Sequence, residues 1–188
     1  MRPLRVVRPL CPAVATIATV VAVTIMAGAG ALHGQKPDGR LQAQLRSLFP
    51  SAATFSPKEG DPPHFSAYSA DQPGGKALLG LAFWTTELEP LERGYDGPIK
   101  ILVGMDTKGI LTGVVVADHR EPYGYFSVEP PAFAAQFVGK SIRDPFRVGD
   151  DVDAVSRATI TMTSAARAIR NSARRVARQL LVAPTAPK

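Results

Sequence analysis

Ile99-Lys100-Ile101-Leu102-Val103-Gly104-Met105, Asp106-Thr107-Lys108-Gly109 and Ile110-Leu111-Thr112-Gly113-Val114-Val115-Val116-Ala117 follow one another without a break. Two β-branched runs flank a four-residue turn with glycine in its last position, the pattern of a β-hairpin. Upstream, residues 77–84 (Ala-Leu-Leu-Gly-Leu-Ala-Phe-Trp) read as a further buried strand. The link between them, residues 90–98, is rich in turn formers and contains Gly94-Tyr95-Asp96-Gly97. Residues 56–75 hold four prolines and three glycines and read as loop, with one short strand around residues 65–68. Leu41, Leu45 and Leu48 repeat at helical spacing and predict a short amphipathic helix that Pro50 ends. Residues 133–138 predict a short helix closed by Gly139. The β-branched residues 159–163 predict a strand, and a helix is expected over residues 163–181. The fold class is therefore α+β: an antiparallel hairpin core with flanking helices.

The chain has 188 residues, enough for one domain plus an anchor. Arg2, Arg5 and Arg8 precede an uncharged apolar run over residues 10–32. Such a run is about as long as the roughly 20 residues that cross a bilayer as a helix. Positive flanks stay in the cytoplasm, so the remainder is expected to be exported. Ala27-Gly28-Ala29 and Ala29-Gly30-Ala31 also suit signal peptidase. Residues 1–32 are thus a cleaved signal peptide or a retained transmembrane anchor, a hydrophobic helix before the domain. A linker and the start of the first helix occupy residues 33–44, the domain residues 45–182, and a mobile tail residues 183–188.

Cys11 is the single cysteine and lies at the apolar segment. Disulfides, cysteine-held iron–sulfur clusters and the haem attachment pattern are therefore excluded from the exported part. His33 and His64 are isolated and lack metal-ligand spacing. No Ser-His-Asp set or Gly-rich phosphate loop is present. The net charge of +6 is uneven. Residues 33–162 hold 13 basic and 16 acidic side chains, whereas Arg167, Arg170, Arg174, Arg175 and Arg178 crowd the last helix. With export expected, nucleic acid is not a partner. The arginines form either a solvated face or a surface for anionic lipid or an acidic partner.

Asp153-Ala154-Val155-Ser156-Arg157-Ala158-Thr159 resembles the attachment motif of FMN-binding domains that carry flavin as a phosphoester on threonine. In that pattern the last threonine is the acceptor, and Arg157 stands where glycine is usual. Gly94-Tyr95-Asp96-Gly97-Pro98-Ile99, Val103-Gly104-Met105-Asp106, Gly109-Ile110, Gly113-Val114 and His119-Arg120-Glu121-Pro122 follow in the order of the same family. The series is similar to the RnfG and NqrC electron-transport subunits. It is closer to the N-terminal extracytoplasmic domain of NosR/NirI-type proteins, which Leu48-Phe49-Pro50 and Gly80-Leu81-Ala82-Phe83 also fit. NosR-type proteins continue into several membrane helices and cysteine-rich clusters, so the resemblance does not imply a complete transmembrane electron path in this sequence.

The resemblance implies covalent FMN on Thr159, installed by an FAD:protein FMN transferase, on the periplasmic side of the cytoplasmic membrane. Asp153, Ser156, Arg157 and Ala158 would belong to the attachment site, with Ala158 leaving room and Arg157 adding a charge-assisted contact. Thr161, Thr163 and Ser164 are rival acceptors. His119 and Glu121 would tune the flavin or pass protons, or else form a surface hydrogen-bond network. Tyr123, Tyr125 and Phe126 would stack on the ring system or fill the core. The main functional expectation is an electron carrier for a membrane-linked reductase chain, of the nitrous oxide reductase type by analogy, rather than a stand-alone enzyme. The alternatives are a regulatory module for a membrane partner, with or without flavin, and a plain binding domain that kept the fold and lost the modification.

Overall fold

A computed structural model describes residues 38–70 and 75–181. The segments expected as signal or anchor (1–32) and as tail (183–188) lie outside these residues. Among the described residues, no helix is long and apolar enough to cross a membrane.

Helix α1 (Gly39–Leu48) begins where Asp38 Oδ1 accepts the Leu41 N–H at 2.7 Å, a side-chain cap for an otherwise orphan donor. It ends at Phe49, whose N–H reaches the Leu45 carbonyl, before Pro50 can interrupt the ladder. Strands β1 (Thr54–Phe55), β2 (Phe65–Tyr68), β3 (Leu78–Trp84), β4 (Lys100–Asp106) and β5 (Leu111–Asp118) then form one antiparallel meander in chain order. A short helix α2 (Thr85–Leu88) leaves β3. The β4–β5 turn is held by Asp106, whose Oδ1 accepts the N–H groups of Lys108 and Ile110, both at 2.8 Å. Gly109 there has φ +81°, a left-handed conformation that costs glycine least.

Alternation along the strands divides the interior into two layers. Leu81, Phe83, Ile101, Val103 and Met105 face one side, where α5 (Thr159–Val176) packs with Met162, Ala165, Ala166, Ile169, Ala173 and Val176. Ala82, Trp84 and Leu102 face the other side and meet Leu45, Leu48 and Phe49 at α1. Gly80 and Gly104 lie beneath that second layer. A methyl group on Gly80 would collide with the Phe49 ring, and one on Gly104 would lie 3.0 Å from Leu48 Cβ. The glycines that weaken the strand pattern thus permit α1 to approach the sheet. Two further short helices, α3 (Gly124–Ser127) and α4 (Pro131–Ala135), cover the β5 end. The helix expected over 133–138 is α4, which starts two residues earlier because Pro131 occupies its first turn and ends at Ala135.

Two expectations change. Residues 159–163 are not a strand, because α5 starts at Thr159. Their β-branched side chains favour extended backbone, but Met162 belongs to the same buried stripe as Ala165, Ala166 and Ile169, so tertiary packing overrides propensity. The helix then passes through a π-helical turn at Ala177–Leu181. Second, most of the arginines are neither a plain solvated face nor a free docking surface. Arg174 donates to the carbonyls of Ile142 and Asp144 at 2.7 and 2.9 Å. Arg175 donates to the Leu88 carbonyl and Arg167 pairs with Glu92 at 2.9 Å. Arg170 reaches the Pro145 carbonyl at 3.3 Å. These long side chains fasten α5 to loops on either side of it.

Candidate functional site

Thr159 is the first residue of an 18-residue helix, and it is exposed. Ala158 at the N-cap provides no side-chain bond, and no acidic residue occupies the first turn. The helix therefore presents backbone N–H groups and the positive end of its dipole beside the Thr159 hydroxyl. Of the rival acceptors, Thr161 and Ser164 are buried, 2% and 3% exposed, whereas Thr163 is exposed but lies a full turn further along α5, away from the cleft lining.

Arg157 has φ +68°. This left-handed backbone reverses the chain just before the helix, and it explains in physical terms why glycine suits the position. A non-glycine residue there costs about 1–2 kcal/mol. The arginine keeps the turn nonetheless and places its side chain on the wall of a cleft of about 290 Å³. Ala158, Thr159, Ile160, Thr161, Tyr95 and Tyr123 complete that wall. Tyr95, Tyr123 and Ile160 are 70%, 42% and 58% exposed, so the rim is a set of solvent-facing apolar surfaces. Tyr123 and Tyr125 do not fill the core; both lean on the ring of Phe126, which packs against it.

Asp153 and Ser156 do not reach the cleft. Both are exposed on the segment leading to it, with the Asp153 N–H donated to Gln136 Oε1 at 2.6 Å. That segment follows a loop organised by Asp151, which accepts the N–H groups of Phe146 and Arg147 and pairs with Lys140 at 3.2 Å. Burial pushes the Asp151 carboxyl up, but these donors together outweigh it and hold the group below its ordinary value.

His119 and Glu121 do not line the cleft either, and they are not a surface network. Glu121 is 6% exposed. Its Oε2 accepts the Tyr95 N–H at 2.9 Å and its Oε1 the Asp96 N–H at 3.0 Å. Oε2 also accepts the Thr161 hydroxyl of α5. The Glu121 N–H donates to His119 Nδ1 at 3.1 Å, so the imidazole proton sits on Nε2, 3.2 Å from Glu129 Oε1. Burial raises the Glu121 carboxyl, yet the hydrogen bonds from Thr161, Tyr95 and Asp96 bring it below its ordinary value overall. Packing around this corner leaves no space: a methyl on Gly94 would overlap the Glu121 carboxylate, and one on Gly124 the His119 ring.

Tyr95 carries no signal of its own in the sequence beyond the turn that contains it. Nothing in residues 94–97 indicates that they face α5, because their link to it runs through Glu121, 25 and 26 positions away.

The site suits a phosphate ester that carries a flat ring system, as FMN does. The uncapped helix start and Arg157 match the phosphate, and the tyrosine-rimmed cleft matches the rings.

Residues 94–174 match the model of the FMN-binding domain family. A subunit of the ion-translocating oxidoreductase complex of Shewanella baltica (strain OS223) is 31% identical over 147 residues, covering 72% of this chain and 63% of that protein. The same-named protein of Vibrio vulnificus (strain YJ016) is 33% identical over 89 residues, 42% of either chain. The chain thus spans less than two thirds of the length of these relatives. The family match takes in the 94–97 turn, the His119–Gly124 loop and α5 as far as Arg174, which are the segments that build the cleft and its support.

Proposed function

For a chain that belongs, through residues 94–174, to the FMN-binding domain family, we infer electron transfer by FMN held covalently on Thr159. One observation carries this reading: an exposed threonine hydroxyl stands at the uncapped start of a long helix, at the mouth of a tyrosine-rimmed cleft. Attachment from FAD would form a bond between Thr159 Oγ and the FMN phosphorus. The bond from that phosphorus to AMP would break, AMP would leave, and the hydroxyl proton would pass to solvent or the transferase. Bound FMN would supply reversible electron transfer.

The chain's own residues would hold it. Backbone N–H groups of the first turn of α5 would bind the phosphate, with Arg157 adding charge. Tyr95 and Tyr123 would cover the ring system and keep water from one face of it. Asp153 and Ser156, exposed on the approach, would meet the FAD:protein FMN transferase rather than the finished cofactor.

The Shewanella and Vibrio relatives are subunits of an ion-translocating oxidoreductase complex. By extension this protein would exchange electrons with a membrane redox partner, on the periplasmic side of the cytoplasmic membrane. Residues 1–32 would serve as signal or anchor, and residues 45–182 as the flavin domain. The motifs shared with NosR/NirI-type proteins favour a reductase chain such as that of nitrous oxide reductase.

Intact mass and peptide mapping of the exported protein, made in a host with the transferase, test the reading. An FMN phosphoryl unit on the Thr159 peptide, absent from Thr159→Ala, is expected. An unmodified wild-type chain would sink it and favour a regulatory or binding module.

A further inference from the structure

We propose that Glu121 is the positioning residue of the Thr159 cleft, clamping the Tyr95 turn and the first turn of α5 into one rigid wall. The inference rests on the flavin reading for its purpose, but its geometry is independent of that reading. Three chain segments meet at this one residue: Tyr95 and Asp96 through their N–H groups, Thr161 through its hydroxyl, and His119 through the Glu121 N–H. Two of the bonded residues, Tyr95 and Thr161, line the cleft themselves. Glu121 does not line it, so it acts on the site through them.

The Arg167–Glu92 pair at 2.9 Å also ties this link to α5, but it lies two residues before Gly94 and leaves the Tyr95 and Asp96 N–H groups to Glu121. Tyr95 is 70% exposed, so packing does little to fix its ring at the cleft. Besides the Glu121 bonds, the turn is closed by the Gly94 N–H donating to the Gly97 carbonyl at 2.7 Å. That bond shapes the turn but does not tie it to α5. Gly94 and Gly124, lacking side chains, let Glu121 and His119 enter the corner. Two functions are thereby separated: Thr159 would bear the flavin, and Glu121 would decide where the ring can lie.

Glu121→Gln keeps the shape of the side chain but removes its charge and turns one acceptor into a donor. Thr161→Val removes the helix bond alone, and Thr161→Ser retains it. Hydrogen exchange on the unmodified proteins is read first. Exchange at Tyr95 and Asp96 is expected to rise about tenfold or more in Glu121→Gln, with β4 amides unchanged, as befits loss of a charged hydrogen bond. In flavin-loaded protein, release of Tyr95 should raise flavin fluorescence in Glu121→Gln and Thr161→Val, while Thr161→Ser remains like wild type. Unchanged exchange at Tyr95 and Asp96, or acceleration spread equally into β4, would overturn the clamp. So would equal fluorescence in Thr161→Val and Thr161→Ser. Should Glu121→Gln fail to fold, the Thr161 pair still decides the matter. If wild type accepts no flavin, the proposed function fails, while the exchange data still judge the clamp.

Discussion

The two segments that support the cleft are built in opposite ways. The Glu121 corner is buried, saturated with hydrogen bonds and packed so closely that two glycines are obligatory. The segment from Asp153 to Arg157 is largely exposed, and its last residue sits in a left-handed conformation. A rigid wall therefore faces an accessible, strained approach. On the proposed function, that division would let a transferase reach the Thr159 hydroxyl while the finished site holds a ring in place.

The sharpest way to break the contrast is Gly124→Ala, which drives a methyl into the His119 ring. A loss of about 3 kcal/mol is expected from such overpacking, read as a lower urea midpoint. A loss within about 0.5 kcal/mol, the range of ordinary surface changes, would mean that the corner is softer than its packing.

Acid should act on the same corner with a smaller effect. Glu121 and Asp151 both have carboxyls held below their ordinary values, so their folded values lie below their unfolded ones. Such groups add stability above the ordinary carboxylate range, and it is lost as pH falls through about 4 and below. The urea midpoint of wild type should therefore fall as the pH is lowered from about 6 to about 3. A double Glu121→Gln/Asp151→Asn variant should start lower and fall less; parallel curves would place the acid sensitivity elsewhere.

On the other side of the comparison, Arg157→Gly should stabilise. Relief of about 1–2 kcal/mol of left-handed strain is partly offset by the entropy of the added glycine, leaving about 0.5 kcal/mol. Thermal melting of the unmodified protein checks this, and a destabilised variant would show that the arginine side chain contributes more than its backbone costs. The smallest change is expected for Ser156→Ala, within about 0.5 kcal/mol, because the side chain is exposed and makes no hydrogen bond among the described residues. Its flavin loading by mass should nonetheless fall if the transferase reads this residue. Full loading would leave Ser156 outside the recognition.

Much of the scaffold is legible because its determinants are local. The β4–β5 hairpin follows from two β-branched runs and the Asp106–Gly109 turn, which closes through bonds spanning two to four residues. Helix α1 follows from Leu41, Leu45 and Leu48 and from Pro50 beyond them. The candidate acceptor is legible for a different reason: seven consecutive residues carry the motif, so no folding is needed to see it. The start of α5 is not legible, because Thr159 to Thr163 favour strand by themselves. Only the sheet beneath Met162 and Ile169 makes helix the better solution.

Patterning along the chain thus decided strands β2 to β5, the β4–β5 turn and the class of fold, and it offers Thr159 as the candidate acceptor. Tertiary structure alone decided what surrounds that residue. Tyr95 and Thr161 come to one cleft because a carboxylate far from both in sequence gathers them, 26 residues from one and 40 from the other. A buried charge needs donors wherever the fold can bring them, and no local pattern records where they will come from.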